Sequence, residues 1–117
     1  MTTGRGDPAS FPEPPYYAVI FTSTRSDEDE AGYQVMAARM MELAQARPGY
    51  LGVESVRDGE GAGITISYWT DLEAISGWKR DAEHLEAQGK GRRLWYDRYR
   101  LRITRVERDH GFERTAD

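Results

Sequence analysis

Residues 63–106 pass from a strand pattern into a tryptophan-rich helical pattern and back into a strand pattern. Ile64 and Ile66 alternate with polar neighbours, which is typical of a strand. Between Leu72 and Trp78 the apolar residues recur every three positions, which indicates one face of a helix. Strand alternation returns at the end of the stretch. A helix packed across a sheet satisfies all three patterns.

The first half of the chain contains patterns of the same kinds. Residues 16–24 are apolar on both faces, which predicts a central strand that is covered on both sides. A helical pattern follows a capping-box match at Ser26 and Asp29 and ends at Pro48. Residues 50–57 alternate again, and the turn residues after them predict a hairpin to the next strand.

The second helical segment is predicted to begin at a capping box formed by Thr70 and Glu73, and to restart near Asp81 after a kink. The order of elements is then strand, helix, strand, strand, helix, strand. This order predicts an α+β, ferredoxin-like βαββαβ fold with a four-stranded antiparallel sheet. One sheet face packs on both helices, and the apolar outer face of the first strand predicts that a partner covers the other.

The chain has 117 residues, of which 38% are hydrophobic and 31% are charged. This length is typical of one domain. A domain with so few hydrophobic residues can bury more apolar surface by associating with a second copy, so we expect a homodimer. We assign residues 16–108 to the domain. Residues 1–15 are expected to be a disordered or extended tail, and residues 109–117 a C-terminal tail.

The composition argues against several classes of function. A net charge of −4 disfavours binding to nucleic acid. Without cysteine the chain has no disulfide, no thiol nucleophile and no Cys/His zinc motif, and no metal site is expected. No stretch approaches the roughly 20 apolar residues that cross a bilayer, so no membrane association is expected. We predict a cytoplasmic protein.

With this order of elements, the aromatic segment resembles the antibiotic biosynthesis monooxygenase (ABM) domain family over residues 16–106. The residues that carry the resemblance are Tyr68, Trp69, Ala74, Ile75, Trp78, Glu83, His84, Gln88, Gly91, Trp95 and Tyr96. The resemblance implies a dimeric α+β barrel, in which two sheets face each other. It also implies a pocket between the sheet and the helices of each subunit.

The ABM family includes cofactor-independent, quinone-forming oxygenases and haem-degrading enzymes. In the haem-degrading branch, the iron-binding histidine falls at the position of Gln88, ten residues after the tryptophan that matches Trp78. That branch also has an asparagine in the first strand, where this chain has Phe21 and Thr22. An amide is a poor iron ligand beside an imidazole, so no haem and no other cofactor is expected.

His84 is the candidate catalytic residue, because an imidazole that titrates near neutrality can accept a proton from a bound phenol or enol. Gln88 lies one helical turn later and is predicted to hydrogen-bond the same ligand. The alternative interpretation is that His84 caps the helix or braces it against the sheet.

Three aromatic residues are candidate substrate-binding walls: Tyr68, Trp69 and Trp78. Their rings offer flat apolar surfaces, and the tyrosine adds a polar hydroxyl. Trp69 alternates with Tyr68 and shares a face with polar Thr65 and Ser67, which is typical of a semi-polar cavity. Trp78 continues the apolar stripe of the helix, so core packing is the favoured alternative for it.

Two functions from different classes follow. The first is a cofactor-independent monooxygenase, an oxidoreductase of the ABM type, that acts on a small aromatic or polyketide-like substrate. The second is a non-enzymatic dimer that binds a small ligand or is associated with stress. Haem binding or degradation ranks below both. One of these functions is enzymatic and the other is not, and the sequence is compatible with both.

Overall fold

The computed structural model describes the backbone of residues 2–5, 11–88 and 92–114, and the side chains of residues 11–84 and 94–114. The elements in chain order are β1 (Thr2–Arg5), β2 (Tyr16–Arg25), α1 (Glu30–Gln45), β3 (Tyr50–Arg57), β4 (Ala62–Trp69), α2 (Leu72–Gln88), α3 (Arg92–Trp95) and β5 (Tyr96–Val106).

One antiparallel sheet organises the chain, with the strand order β1-β3-β4-β2-β5. Its last four strands, together with α1 and α2, have the predicted βαββαβ order, so the ferredoxin-like α+β fold is confirmed. The hairpin between β3 and β4 turns at Asp58, whose carboxylate accepts hydrogen bonds from the backbone of Glu60 and Ala62. Within the described residues, no helix is long and apolar enough to cross a membrane.

Within the N-terminal segment, residues 2–5 are extended and form β1. This strand pairs with β3 from Thr2 opposite Val56 to Arg5 opposite Val53. Without β1, β3 would be an edge strand with a row of unpaired backbone groups, which is a ready site for another strand. Residues 107–114 have no regular structure, but Asp109 accepts a hydrogen bond from the hydroxyl of Tyr16.

Both helices begin at an aspartate that differs from the expected cap. Asp29 is the N-cap of α1, and its Oδ1 accepts a hydrogen bond from the backbone N–H of Gly32 at 3.2 Å. Asp71 precedes α2 and accepts one from Ala74 at 2.8 Å. In each helix this aspartate lies one to three residues after the hydroxyl residue that we predicted, so it is better placed to reach the first free N–H groups. α2 is also continuous through Asp81.

The hydrophobic core lies between the helices and one face of the sheet. Its buried residues are Val19, Ala44, Trp69 and Ile75. Strand register explains the grouping, because residues directly opposite each other on antiparallel strands project to the same face. Tyr17 lies opposite Trp69, and Val19 lies opposite Ser67.

The other face of the sheet carries apolar side chains that the described helices do not cover. Val56 and Ile64 are opposite each other in the β3–β4 register and are each 48% exposed. Ile20 and Ile66 are paired on the same face and are half-buried. We refer to these four residues as the open face. An exposed apolar patch of this kind is typical of an interaction surface.

Gly49 is expected to be intolerant of a side chain. Its φ is 96°, and an added Cβ would lie 2.7 Å from Cβ of Ala74 and 2.8 Å from Oγ1 of Thr70. We predict that Gly49→Ala lowers the free energy of unfolding by about 1–3 kcal/mol, as measured by urea denaturation. Gly59 has no atom within 4 Å of its Cβ position, so Gly59→Ala is the matched control and is expected to change stability by less than about 0.5 kcal/mol. Equal effects of the two substitutions would contradict this account.

Candidate functional site

A cavity of about 620 Å³ lies between the core-facing side of the sheet and the two long helices. Small-molecule sites in proteins typically measure roughly 300–1,000 Å³. The walls come from β2, β3, β4 and β5 on one side, and from α1 and α2 on the other.

Most of the cavity wall is apolar. The residues of this part include Val19, Met40, Met41, Ala44 and Leu101. Methionine side chains are flexible and polarisable, so they adapt to the shape of a flat apolar ligand. The indole of Trp78 adds an aromatic wall, and its Nε1 donates a hydrogen bond to the backbone carbonyl of Met40 at 3.4 Å. This bond holds α2 to α1 across the cavity.

Five polar side chains of the cavity wall come from α1, β3 and β4, and we call this group the polar end. Its residues are Tyr33, Ser55, Arg57, Thr65 and Ser67. The hydroxyls of Ser55 and Thr65 are hydrogen-bonded to each other at 2.8 Å across β3 and β4. Arg57, the last residue of β3, donates hydrogen bonds to the carbonyl of Gly61, the hydroxyl of Ser23 and the hydroxyl of Tyr33.

Tyr33 is held at the polar end by two arginines. The Cζ of Arg25 lies 3.5 Å from the centroid of the Tyr33 ring, and that of Arg57 lies 5.9 Å from it. The side chain of Arg25 is only 6% exposed and pairs with Glu30 at 3.0 Å, while its Nε donates to the carbonyl of Trp95. A buried cation stacked on the ring at this distance is stabilising and restricts ring rotation. The tyrosine hydroxyl therefore has a defined direction.

Aromatic rings form the rim of the cavity where β5 begins. Tyr96 contacts Phe21 at 5.5 Å, Tyr99 at 5.8 Å and Tyr33 at 6.0 Å between ring centroids. Burial, and then the neighbouring Tyr33, raise the pKa of Tyr96. Its hydroxyl is hydrogen-bonded to that of Tyr33, and it is protonated at neutral pH and does not act as a base.

A comparison with known families identifies this arrangement. The sequence model of the antibiotic biosynthesis monooxygenase family matches residues 15–90, which is more than half of the chain. The chain belongs to the ABM family. The resemblance carried by the aromatic segment is therefore confirmed, and the ABM domain described here has the monooxygenase-like fold of the family.

Relatives of the ABM domain are found in sequence and in structure. It is 49% identical over 106 residues to Uncharacterized protein YqjZ of Bacillus subtilis (strain 168), covering 91% of this chain and 92% of that protein. A mutant form of SnoaB, a cofactor-independent oxygenase from Streptomyces nogalater, matches 81% of this chain and 95% of its own, with a TM-score of 0.65 and 16% identity. PA3566 from Pseudomonas aeruginosa matches 86% of this chain and 100% of its own, with a TM-score of 0.62 and 16% identity. At these identities the structural matches show a shared fold.

The two candidate tryptophans lie together in the ABM domain, with ring centroids 5.7 Å apart. Trp78 lines the cavity. Trp69 shares the sheet face of Ser67 and Thr65 as predicted, but it is 0% exposed and its Nε1 donates to Oγ of Ser67 at 2.9 Å. The ring of Trp69 is therefore part of the core and does not line the cavity. Its hydrogen bond orients Ser67, which does line the cavity.

Tyr68 lies on the opposite side of the sheet from the cavity of the ABM domain, which corrects its expected place beside the ligand. It is paired with Ala18, on the same face as the open-face residues, and its hydroxyl donates to Glu54 at 2.7 Å. The reason is strand alternation, since neighbours in a strand project to opposite faces. Burial, and then Glu54, raise the pKa of Tyr68.

His84 is exposed and is absent from the cavity wall, although Ala82 and Glu83 of the same helical turn line it. The two-residue step from Ala82 to His84 rotates the side chain by about 200° around the helix. The geometry therefore does not place this imidazole beside a ligand in the cavity. The side chain of Gln88 lies outside the described side chains, so its expected role stays a prediction.

Glu83, Arg57 and Tyr33 line the cavity of the ABM domain and were missed from the sequence. Glu83 is the one carboxylate among the described lining residues, and it pairs with Lys79 at 3.4 Å. On a helical wheel Glu83 lies about 100° from Ala82 and about 140° from Trp78, so helical periodicity does not predict that it reaches the cavity. Across the described residues, no group of three or more His, Asp or Glu side chains is arranged to hold a metal ion.

Proposed function

We propose that this ABM domain binds a small aromatic or polyketide-like molecule in its cavity and oxygenates it without a metal or organic cofactor. The observation that carries the proposal is the cavity itself, with about 620 Å³, a mostly apolar wall and one polar end. Membership of the ABM family supports the reaction type. The fold shared with the cofactor-independent oxygenase SnoaB supports it further.

The reaction needs a substrate that can reduce dioxygen once it has lost a proton. In an anthrone, the methylene carbon loses a proton, and the resulting anion transfers an electron to dioxygen. One oxygen atom is retained as the new quinone carbonyl, and the other leaves as water with the two hydrogens of the methylene group. The protein's part is to orient the flat ring system, to accept the first proton and to stabilise the anion.

Glu83 is our candidate for the proton acceptor, because it is the carboxylate that reaches the cavity among the described residues. Its carboxylate also pairs with Lys79 at 3.4 Å. His84, the base expected from sequence, is exposed and does not line the cavity. The anion that forms would face the hydroxyls of the polar end, which donate hydrogen bonds.

Oxidation of dithranol, a tricyclic anthrone, tests this proposal. We expect the protein to form the quinone and consume dioxygen faster than buffer alone, in the presence of a metal chelator. Glu83→Gln is expected to lower the rate by roughly 10- to 100-fold. His84→Gln is the matched control at the neighbouring position, and we expect it to leave the rate within twofold of the parent protein.

Other outcomes of the same assay decide between the candidates. Loss of turnover in His84→Gln with retention in Glu83→Gln would return the imidazole to the role of base. Binding of dithranol without any catalysed oxygen uptake would contradict the oxygenase proposal. It would favour the second candidate, a ligand-binding dimer without turnover, which is supported by the exposure of His84.

The proposal includes a homodimer that forms through the open face. Apolar side chains such as Val56 and Ile64, each 48% exposed in the single subunit, would be buried by a second sheet. A chain without cysteine also suits the reducing cytoplasm, where we place the protein. The dimer leaves the cavity intact, because the cavity lies on the other side of the sheet.

A further inference from the structure

The cavity is basic although the protein is acidic. The chain has a net charge of −4, whereas the described side chains that line the cavity include three cations, Arg57, Lys79 and Arg100, and one anion, Glu83. Lys79 and Glu83 form an ion pair with each other. Arg100 is exposed and lies opposite Thr22, on the strand face that points away from the helices. Arg57 is therefore the half-buried positive charge of the cavity.

Arg57 has no charged partner among the side chains that the structure describes. Its three hydrogen bonds go to a carbonyl and two hydroxyls, and those to Ser23 and Tyr33 are both long, at 3.4 Å. A guanidinium has five N–H donors, so Nε–H and one Nη1–H of Arg57 are not used by these three hydrogen bonds. The nearby carboxylate of Glu30 is engaged by Arg25 at 3.0 Å and by Gln34 at 2.6 Å. Hydrogen bonds from Gln34 and Arg25, with a smaller effect of the Arg57 charge, lower the pKa of Glu30.

Gly63 provides the space in which the guanidinium lies. It is opposite Arg57 in the β3–β4 register, and a Cβ at this position would lie 2.7 Å from Cζ and 2.9 Å from both Nη atoms of Arg57. The guanidinium thus rests directly on the backbone of β4. A glycine within a strand often marks a close approach of another group, and here that group is a cation at the wall of the cavity.

We infer that the ligand of this cavity is an aromatic acid, whose rings occupy the apolar part while its anionic group pairs with Arg57 at the polar end. This inference rests on the proposed function in one respect, which is that the cavity is the ligand site. Arginine donates charge-assisted hydrogen bonds to carboxylates and related anions, and the hydroxyls of Ser55 and Thr65 supply further polar contacts. Arg57 is then the residue that sets specificity for charge.

Two fluorescent probes that share one ring system test the inference. 8-Anilinonaphthalene-1-sulfonate carries an anionic group, and N-phenyl-1-naphthylamine is its neutral counterpart. We expect Arg57→Met to weaken binding of the sulfonate by about tenfold or more and to change binding of the neutral amine by less than threefold. Arg57→Lys is expected to recover part of the sulfonate affinity, because it restores the charge without the planar fork.

Two further variants test whether binding depends on the position of the Arg57 charge and not only on the total charge of the protein. Gly63→Ala keeps every charge but displaces the guanidinium of Arg57. We expect it to weaken binding of the sulfonate severalfold and to leave binding of the neutral amine unchanged. Arg39→Met removes an exposed arginine of α1 that pairs with Glu42, and it should leave both affinities unchanged. Near-ultraviolet circular dichroism confirms that each variant is folded.

The outcomes distinguish this inference from the proposed function. If both probes bind the parent protein and Arg57→Met weakens them equally or not at all, the preference for an acid is wrong while the ligand cavity stands. If neither probe binds the parent protein, the ligand cavity and the inference fail together. A selective loss of the sulfonate in Arg57→Met and Gly63→Ala, with Arg39→Met unchanged, supports the inference.

Discussion

Trp69→Ala is expected to lower the free energy of unfolding by about 3–5 kcal/mol. Trp69 is 0% exposed, and its ring packs against Tyr50 at 5.5 Å and Trp78 at 5.7 Å between centroids. The substitution removes the largest fully buried side chain of the core and leaves Oγ of Ser67 without its indole donor. Native proteins are typically stable by about 5–15 kcal/mol, so this loss is a large fraction of the free energy of unfolding.

Guanidinium denaturation measures this effect. Circular dichroism is used to follow unfolding, because its signal does not rely on the fluorescence of the indole that is removed. Trp69→Phe retains an aromatic ring and is expected to cost less than the alanine variant. Leu72→Ala is the control for a large apolar residue that is 51% exposed, and its effect should stay within about 0.5 kcal/mol. A loss below about 1 kcal/mol in Trp69→Ala would show that the core is centred elsewhere.

Ala37→Trp is expected to close the cavity and abolish most ligand binding without unfolding the protein. Ala37 lies on α1 with its side chain at the cavity wall. An indole at this position can occupy existing space, so the substitution does not overpack the core. If it displaces about 100 Å² of buried apolar ligand surface, binding loses roughly 2.5 kcal/mol. That loss corresponds to nearly two orders of magnitude in affinity.

Fluorescence titration with N-phenyl-1-naphthylamine measures the loss, because this neutral probe does not depend on Arg57. Ala38→Trp is the matched control, since the next residue of the same helix is exposed to solvent. We expect the control to bind the probe as the parent protein does. Unchanged affinity in Ala37→Trp would show that the probe binds elsewhere, for example on the open face.

Periodicity alone predicted the fold of this protein. The alternation of Ile64 and Ile66 and the three-residue spacing from Leu72 to Trp78 are local patterns, and each depends only on the geometry of one strand or one helix. The same reasoning placed Trp69 on one sheet face with Ser67, to which its indole donates a hydrogen bond, but Trp69 is buried in the core. An aspartate as the cap of each helix was harder to predict, because Ser26 and Thr70 are equally suitable residue types.

The candidate site could be predicted only in part. Trp78 lines the cavity, but Tyr68 lies across the sheet and His84 is exposed. Closeness in sequence suggested that these residues meet, yet one step along a strand or two along a helix reverses the direction of a side chain. Arg57 was missed because its importance depends on Gly63 and Tyr33, which are near it only in the folded chain.

The amino-acid sequence by itself determined the order of elements, the faces that become core, and the family to which the chain belongs. These properties follow from repeating local geometry, so neighbouring residues are enough to specify them. The tertiary structure alone decided that residues 2–5 join the sheet and that a cavity with one cationic end separates sheet from helices. Both depend on strand register and on contacts between distant segments, whose energies no short stretch of sequence contains.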